Sequence, residues 1–189
     1  MQERGWVLRA DIIWHKPNRI PASVRDRVNN TYEHVFHFVR NKKYFFDLNA
    51  INVLGKNGNP KNPGDVWSIN TQPLKGDHTA TYPEELVDQI IKCGSPKKGV
   101  VFDPFLGTGT AWVVACRLGR QFIGFEVNTE FVNFAEERFS ENFSQKITHL
   151  NGISINPNIE EIRISNYSLL KANNMLCANK RLGDFLQIK

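Results

Sequence analysis

The chain has few of the features that mark secreted or membrane proteins. Its 189 residues include only three cysteines, which are odd in number and far apart (Cys93, Cys116 and Cys177). This spacing excludes a disulfide framework and a zinc ribbon, and it indicates a reducing compartment. No run of about 18 apolar residues occurs, so no segment is predicted to span a membrane. The first residues lack a basic and then apolar leader, so we expect no secretory signal and a cytoplasmic location.

Composition and charge narrow the class further. With 41% hydrophobic and 23% charged residues, the chain can form a core, and its length suits one ordinary domain. The net charge of +5 is unevenly placed, because residues 1–64 contain 11 Lys/Arg and 5 Asp/Glu whereas residues 65–189 contain 13 and 14. This asymmetry predicts contact with a polyanion on one side of the fold. A solvated loop surface is the alternative explanation.

The first third of the chain predicts β-structure. Residues 8–14 indicate a strand stopped by a proline, and residues 18–31 indicate a loop. The alternating segment 33–39 and the return at 44–47 predict a hairpin. Residues 48–65 are rich in Asn, Gly and Pro and predict a short polar connector. His34 and His37 lie on opposite faces of the predicted strand, which argues against a metal pair.

The second part of the chain predicts alternating helices and strands. Thr81 and Glu84 form a capping-box pattern that predicts a helix start at Thr81, and Gly94 predicts its end. The next predicted elements are a strand at 99–103, a helix at 108–118, a strand at 121–126 and a helix from 128 or 129 to 139. This order predicts a right-handed parallel α/β unit. The tail, 144–189, is weakly patterned, with at most one helix between 169 and 186, and no role is assigned to it.

The strongest candidate site is the segment from Asp103 to Thr110, which ends a strand and opens a helix. Gly107 and Gly109 remove side chains where a ligand would approach the backbone, and the helix start supplies amide donors. Glu126 ends the next strand, where a carboxylate can accept hydrogen bonds from both hydroxyls of a ribose. The pattern therefore predicts an adenosine-containing cofactor at the carboxyl ends of two strands.

The type of cofactor follows from what surrounds the glycines. A dinucleotide site would have a third glycine at the helix start, but position 112 is Trp. A phosphate loop would have Gly-Lys-Ser/Thr, which is absent. The acid at Asp103 would repel a pyrophosphate and would suit the ammonium group of a methionine moiety. A glycine turn without a ligand is the remaining alternative.

Several segments resemble one enzyme family. Residues 103–110 (Asp-Pro-Phe-Leu-Gly-Thr-Gly-Thr) resemble the cofactor motif of S-adenosylmethionine (SAM)-dependent DNA methyltransferases that modify exocyclic amino groups, at cytosine-N4 or adenine-N6. Residues 124–128 are similar to the ribose-binding motif of that family, and residues 78–86 to the segment that packs under the cofactor. Upstream segments at 5–9, 11–18, 23–27 and 32–36 are similar to later sheet strands and their DNA-side loops. The resemblance covers residues 4–142.

This resemblance implies a fold and a set of site residues. The fold is α/β, a Rossmann-like methyltransferase fold with a mostly parallel sheet and an antiparallel hairpin, over a methyltransferase domain at 1–143. Roles in binding SAM are implied for Asp103, Pro104, Phe105, Gly107, Gly109, Thr110, Glu126, Asn128, Thr79, Thr81 and Pro83. A helix cap is the alternative role of Asn128. Contacts with double-stranded DNA are implied for Lys16, Arg19, Arg25 and Arg27.

One motif of the family is missing. Its catalytic element, Asp/Ser/Asn-Pro-Pro-Tyr/Phe, binds the target amino group and stacks on the flipped base, but the sequence contains no Pro-Pro pair. No catalytic residue is therefore assigned. The family order places this element upstream of Gly5, so the resemblance implies an N-terminally truncated chain. The fold would lack a central strand between 99–103 and 8–14, and activity would require a complementing N-terminal fragment or subunit.

Three functions remain open at this point. We expect methyl transfer to a DNA base, with cytosine-N4 favoured over adenine-N6. The alternatives are a catalytically inactive remnant or accessory module that binds DNA or cofactor, and methylation of RNA or a small molecule. The connector at 48–65 is short for a target-recognition region, which puts independent base specificity in doubt.

Overall fold

The structure is a computed structural model that describes residues 1–72, 81–147, 170–172 and 175–178. The chain divides into two compact units, Met1–Pro96 and Lys97–Lys189. Among the described residues, no helix combines the length and the apolar character that crossing a bilayer requires.

The first unit contains a three-stranded sheet in the order β2-β1-β5. Its strands are β1 (Val7–His15), β2 (Tyr32–Val39) and β5 (Val66–Ser68). β2 runs antiparallel to β1, with a bulge between Leu8 and Ala10, and β5 runs parallel to β1. β1 therefore has a partner on each side, and β2 and β5 are the edge strands among the described residues. This corrects the expectation that an absent strand lies beside residues 8–14.

A helix and two tryptophans build the core of the first unit. Trp14 of β1 and Trp67 of β5 are buried with Ile69 and with Leu86 of helix α1 (Glu84–Gly94). The Trp14 indole Nε1 donates a hydrogen bond to the carbonyl oxygen of Ile69 at 2.8 Å. Because α1 covers one face of the sheet with its apolar side, that face is the buried one.

The predicted hairpin return at 44–47 is wrong. β2 pairs with β1 instead, and residues 44–47 form no strand. The aromatic rings of this segment pack on a histidine: Tyr44 lies 5.5 Å and Phe46 lies 5.3 Å from the His37 ring, between centroids. The apolar run that suggested a strand is explained by this ring packing.

The predicted capping box at Thr81 is also wrong. α1 begins at Glu84, its N-cap is Pro83, and no side chain caps it there. Thr81 lies two residues before the cap, so it cannot donate or accept the hydrogen bonds of a capping box. Within the predicted connector, Leu48–Ile51 forms a 3-10 turn, and β3 (Val53–Leu54) pairs with β4 (Pro60–Lys61).

The second unit is a parallel α/β arrangement in the strand order β6-β7-β9-β8. It contains β6 (Val100–Asp103), α2 (Thr110–Arg117), β7 (Gln121–Phe125), α3 (Thr129–Ile147), β8 (Leu170–Ala172) and β9 (Met175–Ala178). β6, β7 and β9 are parallel, and β8 is antiparallel to β9. The predicted strand–helix–strand–helix order is confirmed.

The sequence allowed at most one helix between residues 169 and 186, and the described residues of this segment form strands instead. Leu170–Ala172 and Met175–Ala178 are strands, and β9 extends the sheet at the edge of β7. The pairing partner of β9 is far upstream in the chain, so local periodicity could not indicate it.

The core of the second unit is centred on Trp112 of α2. Its indole ring is stacked on Phe139 of α3 at 4.0 Å and on Phe122 of β7 at 6.4 Å. Burial raises the pKa of the Cys116 thiol on the same helix to about 11, so this cysteine stays protonated at neutral pH. This supports a packing role for Cys116.

His37 gives the first unit a testable dependence on pH. Burial, together with the positive charge of Arg9, lowers the pKa of His37 below its ordinary value of 6.5. The unfolded chain therefore binds a proton at this site more readily than the folded chain. We expect the free energy of unfolding to fall as the pH drops below about 6.5, and to fall less in a His37→Gln variant. Urea unfolding at pH 7.5, 6.5 and 5.5 checks this, and parallel pH profiles for the two proteins would contradict it.

Candidate functional site

The glycine loop between β6 and α2 is held in a tight turn by hydrogen bonds that its backbone amides donate. The amide of Phe105 donates to Asp103 Oδ1 at 3.0 Å, and the amide of Leu106 donates to the Phe125 carbonyl at 2.8 Å. Gly107 and Gly109 have φ values of 53° and 78°, in the left-handed region that favours glycine. These contacts fix the loop at the carboxyl ends of β6 and β7.

The two glycines serve different purposes. A Cβ on Gly109 would lie 2.9 Å from the Cβ and 3.3 Å from the Cα of Ala135, so the missing side chain makes room for α3. A Cβ on Gly107 would meet only the Phe105 carbonyl oxygen, at 3.8 Å. Gly107 therefore leaves open backbone beside the loop, whereas Gly109 is needed for helix packing.

Glu126 joins the loop to the next strand. Its Oε2 accepts the amide of Gly107 at 2.8 Å, and its Oε1 accepts the amides of Val127 and Asn128 at 2.9 Å each. A carboxylate offers about four acceptor positions, so Oε2 retains capacity for a further donor. The structure thus brings Glu126 and the glycine loop together.

Arg138 of α3 stabilises the glycine loop through two hydrogen bonds, and no sequence pattern predicted this role. Its Nη1 donates to the carbonyl of Thr108 at 3.2 Å and to Thr110 Oγ1 at 2.9 Å. Both threonines are buried, so the Thr110 hydroxyl is bound inside the protein. Nothing in the local sequence indicates these contacts, because they join residues 28 and 30 positions apart.

The remaining predicted residues near the loop have distinct surroundings. Asn128 Oδ1 accepts the amide of Glu130 at 2.9 Å, so Asn128 caps α3. Pro104 is half-buried, whereas the Phe105 side chain is 78% exposed. Val127, which was not among the predicted cofactor-binding residues, follows Glu126 directly, and its side chain is 80% exposed. Two large apolar side chains are therefore available to a ligand at this end of the sheet.

The predicted pocket residues Thr79, Thr81 and Pro83 precede α1. Thr79 lies outside the described residues. Thr81 is half-buried, and Pro83 is almost completely buried as the N-cap of α1. Both belong to the first unit, whereas the glycine loop and Glu126 belong to the second.

The predicted DNA contacts differ in availability. Lys16 forms an ion pair with Glu33, and its Nζ lies 4.3 Å from the centroid of the Trp14 ring. Arg19 donates a hydrogen bond to the Asn30 carbonyl oxygen. Arg25 and Arg27 are exposed in the loop between β1 and β2. The loop therefore presents two arginines to solvent, while Lys16 is engaged.

A parallel sheet whose first strand leads into a glycine loop, and whose second strand ends in a loop-binding carboxylate, defines a Rossmann-like methyltransferase fold. The DNA methylase family (N6_N4_Mtase) matches residues 1–137 of the chain. The chain belongs to this family.

Known relatives support the assignment. The chain is 41% identical over 138 residues to the Type II methyltransferase M.Cfr9I of Citrobacter freundii, covering 73% of this chain and 46% of the relative. The crystal structure of an M1.HpyAVI–SAM complex is 29% identical, with a TM-score of 0.56, covering 72% of this chain and 64% of that one. The cytosine-N4-specific PvuII DNA methyltransferase is similar in fold, with 22% identity and a TM-score of 0.61, covering 80% of this chain and 63% of that one. The chain spans about half the length of the curated relatives it matches.

Proposed function

We propose that this chain is the cofactor-binding part of a cytoplasmic, SAM-dependent DNA methyltransferase. The enzyme would act on an exocyclic amino group of a DNA base. The observation that carries the proposal is the link between Glu126 and the amide of Gly107, which fixes a carboxylate beside open backbone. Relatives at about 40% identity are Type II methyltransferases, which supports a DNA substrate. The preference for cytosine-N4 over adenine-N6 rests on the sequence resemblance.

The residues of the loop fit the three parts of SAM. Glu126 would accept a ribose hydroxyl at Oε2, and Asp103 would attract the ammonium group of the methionine part. Phe105 and Val127, both largely exposed, would contact the adenine ring. Gly107 would allow close approach to the backbone, and Thr79, Thr81 and Pro83 are included on the resemblance alone. When bound, SAM would supply an electrophilic methyl group, and the protein would mainly position the accepting nitrogen.

The accepting nitrogen needs a binding element that the sequence does not contain. A Pro-Pro-Tyr/Phe motif is absent, and the chain matches 46% of the Citrobacter freundii relative. We therefore assign this role to a complementing N-terminal segment. That segment would hold the flipped base and direct its amino group.

The missing motif also favours a second candidate function. The chain would then be an inactive accessory module that retains cofactor or DNA affinity. Methyl transfer by the chain alone would eliminate this candidate. Methyl transfer that appears only when the complementing segment is added would support the first proposal.

Direct titration tests the cofactor. We expect SAM to bind the purified chain, and NAD, which shares the adenosine part but carries a pyrophosphate, not to bind. The expected difference arises because Asp103 would repel the pyrophosphate and attract the ammonium group. Isothermal titration with each ligand measures this. Equal binding of NAD and SAM would contradict the proposed cofactor.

The exposed arginines make a separate prediction about DNA. Replacing Arg25 and Arg27 by Ala should weaken binding of a DNA duplex. The slope of the logarithm of the association constant against the logarithm of the salt concentration should become shallower by roughly 0.9 for each phosphate that is no longer neutralised. Lys16→Ala should have a smaller effect, because its ammonium group is already paired with Glu33. Fluorescence anisotropy at several salt concentrations measures both. A larger effect of Lys16→Ala than of the double arginine variant would refute this assignment.

A further inference from the structure

One face of the sheet in the first unit is largely apolar, and several of its large side chains are exposed in the part of the chain that the structure describes. Side chains alternate along a strand, so Ile12 and Trp14 of β1 point to the core, and Ile13 points to the other side. In the register, Ile13 is opposite His34 of β2 and Val66 of β5. We call this second side the outer face; its members are Leu8, Asp11, Ile13, His15, Tyr32, His34, Phe36, Phe38, Val66 and Ser68.

The outer face carries a continuous row of rings. Along β2, the Tyr32 and His34 rings lie 5.4 Å apart, His34 and Phe36 5.5 Å, and Phe36 and Phe38 6.2 Å. Phe36 is 53% exposed, and Tyr32 is 44% exposed. Val66, on the neighbouring parallel strand, is 57% exposed. Large exposed apolar patches of this kind mark interaction sites.

The charges on this face favour a protein over a nucleic acid as the partner. Its Asp11 and His34 side chains are joined by a 2.8 Å contact between Oδ1 and Nδ1, and His15 Nδ1 lies 3.2 Å from Ser68 Oγ. None of the positions that define the outer face is Lys or Arg. Surfaces that stack nucleic acid bases combine aromatic rings with cations along the backbone, and this face lacks the cations. An apolar protein element fits the rings better.

The fold class indicates what kind of element is missing. Sheets of doubly wound α/β proteins are covered by helices on both faces, and the one described α-helix of this unit, α1, packs on the core side. β2 also has an open edge among the described strands, since it pairs with β1 alone. A strand can add to such an edge while a helix covers the adjoining face.

We propose that the outer face and the open edge of β2 are the docking surface for a polypeptide that supplies the rest of the methylase sheet and its second helix layer. This inference rests on the proposed function, because it identifies the binding surface for the complementing segment. The size of the matched region agrees with it, since 138 aligned residues make up 46% of the Citrobacter freundii relative. The docked polypeptide would place an amphipathic helix across Phe36 and Tyr32. A strand of the same polypeptide would form backbone hydrogen bonds with the edge of β2.

The test uses a defined probe, namely the part of the Citrobacter freundii relative that lies outside the matched residues. We expect this polypeptide to copurify with the full chain after coexpression. Phe36→Asp and Tyr32→Ser should each reduce the retained probe at least 10-fold. Ile20→Asp is the matched control, because Ile20 is 87% exposed in the loop between β1 and β2 and lies off the outer face. Circular dichroism melting of each variant confirms that it is folded, and Phe36→Ser replaces Phe36→Asp if the charge prevents folding.

Three results would overturn the docking surface. One is a wild-type chain that does not retain the probe, and another is a Phe36 variant that retains it as well as Ile20→Asp does. The third is a Phe36-dependent dimer in ultracentrifugation, or Phe36-dependent binding of a DNA oligonucleotide, which would give the face a different occupant. Titration of SAM in the same preparations separates the two hypotheses. Probe binding without SAM binding would support the docking surface and contradict the proposed function. SAM binding without probe binding would support the proposed function and contradict the docking surface.

Discussion

Replacing Glu126 by Ala should weaken SAM binding by about 10- to 100-fold, because hydrogen bonds to a charged group contribute about 1.5–3 kcal/mol. The change removes the proposed ribose acceptor. It also releases the amide of Gly107, so the glycine loop loses its link to β7. Isothermal titration of SAM into the folded variant measures the reduction in affinity.

Two further variants make the Glu126 result specific. Glu130→Ala removes an acid from the first turn of α3 and should leave SAM affinity within about 2-fold of the wild type, because a single exposed charge contributes little. Glu126→Gln keeps the shape but has only one acceptor oxygen, so it cannot hold both Gly107 and the Val127–Asn128 amides. We expect its affinity to lie between those of the wild type and Glu126→Ala. Unchanged affinity in folded Glu126→Ala would remove the main support for the proposed cofactor.

Replacing Gly109 by Ala should destabilise the second unit by about 2–5 kcal/mol. The left-handed backbone at φ 78° disfavours any residue with a Cβ by about 1–2 kcal/mol. The new Cβ would also lie 2.9 Å from the Ala135 Cβ, and overpacking of this kind costs about 1–3 kcal/mol. Since domains are commonly stable by about 5–15 kcal/mol, this is a large share of the total. Urea unfolding followed by circular dichroism measures it.

Gly119 provides the matched control for Gly109. It belongs to the same unit and has φ 72°, but an added Cβ would meet nothing within 4 Å. Gly119→Ala should therefore show the backbone effect alone, at about 1–2 kcal/mol. The double variant Gly109→Ala with Ala135→Gly should recover part of the stability by removing the Cβ that the new side chain would meet. Equal destabilisation by Gly109→Ala and Gly119→Ala would show that the contact with α3 is unimportant.

Two of the wrong predictions share one physical cause. Residues 44–47 are as apolar and aromatic as a strand, but the Tyr44 and Phe46 rings pack on His37. Residues 175–178 have no strong local strand signal, yet they add to the edge of β7. In both cases a partner distant in sequence decided the structure, and local propensity is a weak guide there.

The sequence by itself determined the elements whose signals are local. Glycines at 107 and 109, the acid at 126 and the alternation of strand and helix between 99 and 139 predicted the parallel unit and its loop, since turn geometry and amphipathic periodicity depend on near neighbours. Only the tertiary structure decided which role each residue has. It showed that Gly109 makes room for α3, that Arg138 holds the loop and that Lys16 is paired, because these contacts join residues 17 to 30 positions apart. It also revealed the exposed rings of the outer face, which depend on how the strands pair rather than on any one strand.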